Sequence, residues 1–182
     1  MLPLSITYLP VELHRWDLGP GGDALAVPVW TDIRPLRGAA GLLDWRLCGQ
    51  LSKMIREGRV AGVAGEKLLL MSSRIPWKRI LAVGVGESRA FSDDGFRDAM
   101  DCILKTLHGI GASSLAIALP GRDIDCIPPE RAMREFVAIL NQNQRARGDW
   151  LERLTIIDVP SATKGMSEAA CALESGSDDT QP

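Results

Sequence analysis

Three short loops in this sequence contain glycine, and two of them add an arginine; these residue types hold phosphate groups in proteins. Glycine lets backbone N–H groups approach an anion closely, and arginine supplies a matching charge. Each loop follows an apolar run or precedes a predicted helix. The candidate ligand-binding residues in these loops are Arg37, Gly38, Gly41, Gly84, Gly86, Gly121 and Arg122.

The same loops also have purely structural interpretations. Gly84 and Gly86 lack the third glycine of a dinucleotide-binding fingerprint, because Arg89 stands in its place. A sharp connection from strand to helix is therefore the better explanation of this pair. The stretch from Gly38 to Gly41 fits a helix entry with small residues for close packing as well as it fits an anion site. Both interpretations stay open from sequence alone.

Other catalytic chemistries have no support in the sequence. The only two histidines are His14 and His108, and neither belongs to an H-E-x-x-H motif. We expect His14 on the surface of a strand or hairpin, and His108 at a helix end where positive charge suits the dipole. No phosphate-binding P-loop and no G-x-S-x-G motif occurs, and the four cysteines have neither metal-finger nor redox-motif spacing. We therefore predict no catalytic residues, no metal site and no cofactor.

Six short apolar runs are the predicted strands that position the three loops. Their length favours strands over helices. Pro28 interrupts the second run and places that strand near a sheet edge or a bulge. The predicted strands cover residues 4–9, 23–30, 67–71, 79–85, 114–119 and 153–159.

Amphipathic helices are predicted between these strands. One helix follows the flexible loop at residues 36–41 and carries the apolar stripe Leu43, Leu47, Leu51, Met54 and Ile55. A second begins after Ser92, a typical N-cap residue, and buries Phe96, Met100, Ile103, Leu107 and Ile110. A third begins at Pro128 or Pro129 and buries Met133, Phe136, Val137 and Leu140.

Apolar strands that alternate with helices predict a mainly parallel sheet covered on both faces, a three-layer α/β/α sandwich. The glycine loops would then meet at the carboxyl ends of the strands and form a ligand cleft. We predict one domain over residues 1–159. Residues 160–182 carry a net charge of −3 and few large apolar residues, so we predict a disordered acidic tail with at most one helical turn near residues 168–173.

Composition limits the partners of the chain. The net charge is −2 over 182 residues, which does not predict nucleic-acid binding. No apolar run approaches the ~18 residues that cross a bilayer, so we expect no membrane contact. With no secretory signal at the start and no cysteine framework, we expect a cytoplasmic protein. Trp45 lies off the apolar stripe of its helix, so we expect it to be exposed.

Several segments together resemble the N-terminal domain of the leucyl aminopeptidase (cytosol aminopeptidase) family. The resemblance extends from the turn at Gly22 to the strand at Asp158 and rests on the order and spacing of the segments. They are GDALAVPVW at residues 22–30, RPLRGAAGLLDWR at 34–46, GEKLLL at 65–70, ILAVGVG at 80–86 and AIALPG at 116–121.

The resemblance implies a macro-domain-like fold without catalytic function. In that family, peptidase activity belongs to a separate C-terminal domain that binds two metal ions beside an N-T-D-A-E-G-R motif. This sequence contains no such motif, so the resemblance implies a free-standing, non-catalytic binding or assembly module. Its expected partners are a second copy of itself or a peptidase.

The macro-domain relationship supplies the alternative hypothesis. Macro domains bind ADP-ribose between glycine-rich loops, so the alternative is binding of a nucleotide or an ADP-ribose-like ligand. Arg37 and Arg122 would then contact its phosphates. Asp32 and Arg34 lie near the place where macro domains carry asparagines.

Overall fold

A six-stranded sheet organises the chain, for which a computed structural model describes residues 5–175, with side chains up to residue 172. The strand order is β1-β6-β5-β2-β4-β3. All neighbouring strands are parallel except β3, which pairs antiparallel with β4 at one edge. The strands are β1 (Ser5–Pro10), β2 (Gly22–Trp30), β3 (Lys67–Met71), β4 (Trp77–Gly86), β5 (Ser114–Ile117) and β6 (Arg153–Asp158).

Two layers of helices cover the sheet and confirm the predicted three-layer α/β/α sandwich. Buried side chains form a separate apolar cluster on each face. One layer contains α1 (Leu13–Asp17), α2 (Gly38–Arg46) and α3 (Gln50–Arg56). The other contains α4 (Asp93–Gly109), α5 (Pro129–Arg147) and α6 (Thr163–Ser175).

The predicted strands form at the expected places, but β2 is not an edge strand. It lies between β5 and β4. Its pairing with β5 ends at Ala26, so the missing N–H of Pro28 removes no ladder hydrogen bond on that side. The predicted irregularity is nevertheless present, because the register with β4 shifts between Val29 and Trp30.

Helices α4 and α5 begin as the sequence predicts. The Ser92 hydroxyl accepts a hydrogen bond from the Gly95 N–H at 3.2 Å and caps α4. Pro129 is the first residue of α5, where its missing N–H costs nothing. The predicted stripes of both helices are buried against the sheet, except for half-buried Ile110 at the C-cap of α4.

The single helix predicted across residues 43–55 is wrong, because two helices form. Cys48 and Gly49 adopt left-handed φ values of 57° and 77° and separate α2 from α3. The predicted stripe survives the break, since Leu43, Leu47 and Leu51 are all buried in one cluster. The loop predicted before this helix is also shorter than expected, because α2 already begins at Gly38.

The structure also corrects two predictions nearer the chain ends. His14 lies in α1, not in a strand or hairpin, although it is exposed as expected. Residues 160–175 form a 3-10 turn followed by α6. Met166 and Ala170 are buried in the cluster that includes α5, so small residues and one methionine suffice to hold this helix. Residues 176–182 of the predicted tail lie outside the described residues.

Candidate functional site

The carboxyl ends of β2, β5 and β6 meet the first turn of α2 around a small crevice. Its volume is about 170 Å³. Gly38 and Ala39 contribute the α2 side, and Arg122, Asp123 and Asp158 contribute the polar side chains. Ligand sites in open α/β sheets form at such strand ends, so this is the first place to look for one.

A buried ion pair holds one side of the crevice. Arg122 Nε donates to Asp158 Oδ2 at 2.8 Å, and Arg122 Nη2 donates to Asp158 Oδ1 at 3.3 Å. The remaining nitrogen, Nη1, donates to the Ile127 carbonyl at 2.7 Å. The side chains of Arg122 and Asp158 are only 9% and 7% exposed. Every nitrogen of this guanidinium is therefore already engaged within the protein.

Asp123 is the other charged group of the crevice. Trp30 Nε1 donates to its Oδ2 at 2.7 Å, while its Oδ1 is buried and has no hydrogen-bond partner in the described part of the chain. Burial raises the pKa of Asp123, and the bond from Trp30 opposes this without cancelling it. Asp123 also abuts Gly38, because a Cβ on Gly38 would lie 2.8 Å from the Asp123 Cβ.

The first turn of α2 presents backbone N–H groups beside this carboxylate. These groups have no acceptor within the helix, and the side chain of Arg37 does not cap them. An anion is favoured there by the helix dipole. The crevice already supplies Asp123, Asp125 and Asp158 against Arg122 alone, a formal charge of −2. The protein's own carboxylates therefore stand where a phosphate would have to bind.

The structure brings together only some of the candidate residues. Gly38 and Arg122 line the crevice. Arg37 is exposed next to it, and its side chain contacts no acid among the described residues. Gly121 follows β5, but it packs against Phe91, whose Cε1 would lie 2.8 Å from a Cβ at that position.

The other candidate glycines serve the backbone. A Cβ on Gly84 would lie 2.0 Å from the Val63 carbonyl oxygen, and the Gly86 N–H donates to the Gly62 carbonyl at 2.9 Å. Both glycines let residues 62–65 lie against the end of β4. Gly41 faces away from the crevice, because its Cβ position meets the Leu36 carbonyl oxygen at 2.5 Å.

Asp32 and Arg34 hold the loop between β2 and α2. Asp32 accepts hydrogen bonds from the N–H and hydroxyl of Ser88, which lower the pKa of its carboxyl group. Arg34 donates to the carbonyls of Trp30 and Ile33 at 2.6 and 2.7 Å. These contacts join neighbouring loops, so the polar groups of both side chains are bonded within the protein.

Sequence reasoning missed Trp30, Asp123 and Asp158 as parts of this crevice. Asp158 ends an otherwise apolar strand, and Asp123 directly follows a candidate arginine. An acid in either position is a signal for a buried polar contact. The contact between Arg122 and Asp158 depends on which strands are neighbours in the sheet, and local sequence patterns do not give the strand order.

A second and larger depression lies on the outer side of α2 and α3. This α2–α3 groove is open and has a volume of about 840 Å³. Gly41 and Arg46 lie in its wall, together with Pro35, Leu36, Trp45, Cys48, Ser52 and Arg74. As predicted, Trp45 is exposed, with 70% of its surface accessible.

Metal and membrane features are absent from the described part of the chain. Between residues 5 and 175, no three histidine, cysteine or acidic side chains are grouped so that they could hold a metal ion. Within the same range, no helix is both long and apolar enough to span a bilayer.

The sheet and its two helix layers give the chain a macrodomain-like α/β/α fold. The Trypanosoma brucei macrodomain in complex with ADP superposes with a TM-score of 0.70 at 18% identity, over 91% of this chain and 68% of that chain. A mutant of tomato leucine aminopeptidase superposes with a TM-score of 0.62 at 21% identity, over 91% of this chain and 35% of that chain. These likenesses establish the fold.

Sequence comparison establishes the family. The model of the cytosol aminopeptidase family, N-terminal domain, matches residues 26–142, so the chain belongs to this family through that domain. A probable cytosol aminopeptidase of Synechocystis is 31% identical over 130 residues, which are 70% of this chain and 26% of that protein. A second, from Thermosynechococcus vestitus, is 27% identical over 93% of this chain and 34% of its own length. The chain thus spans about a quarter to a third of these relatives.

Proposed function

We propose that this domain is a non-catalytic assembly module that pairs with a second copy of itself or with an aminopeptidase subunit. The pairing uses the outer edge of β3, which has no neighbouring strand among residues 5–175. The observation that carries the proposal is the chemistry of that edge. Leu69 and Met71 are 46% and 80% exposed, which is unusual for apolar residues of a strand. A hydrophobic sheet edge without a partner is a template for another strand.

The backbone of β3 supports the same proposal. The Gly84 N–H donates to the Glu66 carbonyl, and the Gly84 carbonyl accepts from the Gly65 N–H. In the register that continues from this contact, the backbone N–H and C=O groups of Leu68 and Leu70 point toward β4. Backbone groups alternate sides along a strand. The N–H and C=O groups of Lys67, Leu69 and Met71 therefore point away from the sheet, at the residues whose side chains are exposed.

The test is the oligomeric state measured by size-exclusion chromatography with light scattering. We expect the wild type to form a dimer, or to form a complex when mixed with a purified aminopeptidase such as the Synechocystis relative. Leu69→Lys should abolish either association, because a lysine at an edge position disfavours strand pairing. Leu18→Lys is the matched control, since Leu18 is 81% exposed and lies outside the edge. A wild type that stays monomeric both alone and in the mixture contradicts the proposal.

The absence of catalysis and the cytosolic location belong to the same proposal. The resemblance to the family implies that its N-terminal domain is non-catalytic, and the relatives are named cytosol aminopeptidases. We expect no hydrolysis of a chromogenic leucyl substrate with added zinc or manganese, and recovery of the protein in the cytosolic fraction. Metal-dependent hydrolysis that survives repurification would contradict the first expectation, and recovery with membranes the second.

Binding of a phosphate-bearing small molecule is the second candidate function. Two observations support it. The first-turn N–H groups of α2 at the crevice have no acceptor within the helix, and the T. brucei macrodomain of similar fold is a complex with ADP. The volume and charge of the crevice oppose it, because pockets for drug-sized ligands span roughly 300–1,000 Å³. A thermal-shift measurement with ADP and ADP-ribose decides, since a ligand at 100 times its Kd stabilises a protein by about 2.7 kcal/mol.

Arg37 provides the control for that measurement. If a phosphate binds at the first turn of α2, Arg37→Ala should weaken it by about 1.5–3 kcal/mol, the range for a charge-assisted hydrogen bond. A flat thermal response to both nucleotides removes the second candidate. It leaves the assembly proposal intact, because β3 and the crevice lie at different parts of the sheet.

A further inference from the structure

The charge of the chain is divided unevenly between the α2–α3 region and the rest. Residues 34–59 contain six lysines or arginines and two acids, a net charge of +4. The remaining residues carry −6, which together give the total of −2. An anionic partner is therefore attracted to one region of a molecule that is otherwise negative.

The lining of the α2–α3 groove carries Arg46 and Arg74 against Asp44, a formal charge of +1, and Arg74 has no acid partner among the described residues. Arg74 Nη1 contacts Cys48 Sγ at 2.8 Å, and Arg74 forms no ion pair. Asp44, the acid of the groove wall, is held by Ser52, whose N–H donates to Oδ1 at 3.0 Å and whose hydroxyl donates to Oδ2 at 2.5 Å. Arg46, by contrast, is paired with Asp17. The guanidinium of Arg74 is thus the free positive group of this groove.

Trp45 gives the groove an apolar anchor point beside that charge. Its ring is 70% exposed, whereas Trp16, Trp30 and Trp77 are almost completely buried. Pro35 and Leu36 extend the apolar wall. Tryptophan and arginine are both enriched among the residues that contribute most to protein–protein binding energy.

We propose that the α2–α3 groove docks an acidic polypeptide segment, with carboxylates against Arg74 and an apolar side chain against Trp45. The segment is short, because the electrostatic attraction of the groove acts only over a short distance. At physiological salt the field decays over ~8 Å, so attraction is confined to the groove and its rim. A long nucleic acid would extend beyond the groove, and the chain outside residues 34–59 carries a net charge of −6. The proposal does not depend on pairing at β3.

A fluorescein-labelled hexapeptide of acidic residues around one leucine is the probe, and the same peptide with asparagine and glutamine in place of the acids is its control. We expect the acidic peptide to bind in a fluorescence anisotropy titration. Binding should weaken strongly between 0.1 and 1 M NaCl, because the screening length falls from ~10 to ~3 Å.

Two variants locate the binding, and a third serves as their control. Arg74→Glu should weaken the acidic peptide about tenfold or more, the size expected for the loss of one charge-assisted hydrogen bond. Trp45→Ala should weaken it by a similar factor, with the salt dependence retained. Arg134→Glu makes the same charge change at an exposed arginine of α5, on the opposite face of the sheet, and should leave the affinity within about twofold of its wild-type value.

Cys48 reports occupancy directly, because it lines the groove while Cys126 does not. The bound peptide should slow alkylation of Cys48 by iodoacetamide, measured by mass spectrometry, and leave the exposed Cys126 unchanged. The proposal is overturned by equal binding of the neutral peptide, by equal loss in Arg134→Glu, or by unchanged alkylation of Cys48. Tighter binding of a single-stranded oligonucleotide that also depends on Arg74 would overturn it in favour of a nucleic-acid surface.

Discussion

The crevice at the strand ends and the groove on α2 and α3 use charge in opposite ways. In the crevice, Arg122 is buried and bonded to Asp158 and to a backbone carbonyl. In the groove, Arg74 is exposed and its guanidinium contacts no acid among the described residues. The carboxyl ends of the strands, where open α/β sheets commonly bind ligands, are here lined by the protein's own paired side chains. A shared fold therefore does not by itself assign a ligand to the strand-end crevice of this chain.

The largest expected effect tests whether the crevice pair is structural. Arg122→Ala leaves Asp158 buried without its partner, so we expect a loss of about 3–5 kcal/mol of unfolding free energy, measured by urea denaturation. Replacing both Arg122 and Asp158 with leucine should recover much of this loss, because no unpaired charge remains buried. A single variant as stable as the wild type would mean that the pair does not hold the fold, and the contrast with the groove would disappear.

Glycine substitutions compare the two regions at matched backbone conformations. Gly38 in the crevice and Gly49 in the groove both have left-handed φ values, 55° and 77°. Gly49→Ala should cost about 1–2 kcal/mol from the backbone alone, since nothing lies within 4 Å of the added Cβ. Gly38→Ala should cost about 2–3 kcal/mol, because its Cβ also meets Asp123. Equal losses in thermal melts would show that the crevice is not tightly closed.

A change of the opposite sign is expected at Asp123. Asp123→Asn removes a half-buried charge and keeps an acceptor for Trp30, so it should stabilise the protein by about 1 kcal/mol at pH 7. The folded state holds the Asp123 proton to higher pH than the unfolded state, so the wild type loses stability as pH rises through the folded pKa. The extra stability of the variant should therefore vanish as the pH falls toward 3.8, the ordinary pKa of an aspartate side chain. A stabilisation that is constant from pH 4 to 7 contradicts this assignment.

The smallest effect belongs to the groove. Trp45→Ala and Arg74→Ala should each change the unfolding free energy by less than about 0.5 kcal/mol, because both side chains are exposed. Thermal melts at neutral pH measure this. A loss of 2 kcal/mol in either variant would make the groove a structural region like the crevice and would remove the reason to assign it a partner.

The strands and long helices could be predicted because their evidence is local. The cap at Ser92 and the apolar stripe of α4 are present within a few residues of each other. The break at Cys48 was not predictable, because Cys48 is not glycine yet takes a left-handed conformation. Helix α6 was missed because its inner face consists of alanines and one methionine, which give a weak pattern until α5 supplies the opposite surface.

Part of the candidate site could also be predicted, because the ends of predicted strands can be read from local sequence. Gly38 and Arg122 do meet at the strand ends, as a mainly parallel sheet requires. That Arg122 is bonded to Asp158 depends on β5 and β6 being neighbours, which no local pattern reports. The free charge of Arg74 could not be predicted either, since it is defined by the absence of a nearby acid in three dimensions.

The pairing of β1 with β6 has a consequence for the synthesis of the chain. Ser5 lies beside Arg153, so β1 finds its place in the sheet only after the distant strand β6 has left the ribosome. Contacts between residues so far apart in sequence form late and slowly. Until β6 is inserted beside β5, β1 has no position in the sheet and the growing chain exposes the edge of β5. The nascent protein therefore passes through a stage in which a chaperone that covers sheet edges would protect it from aggregation.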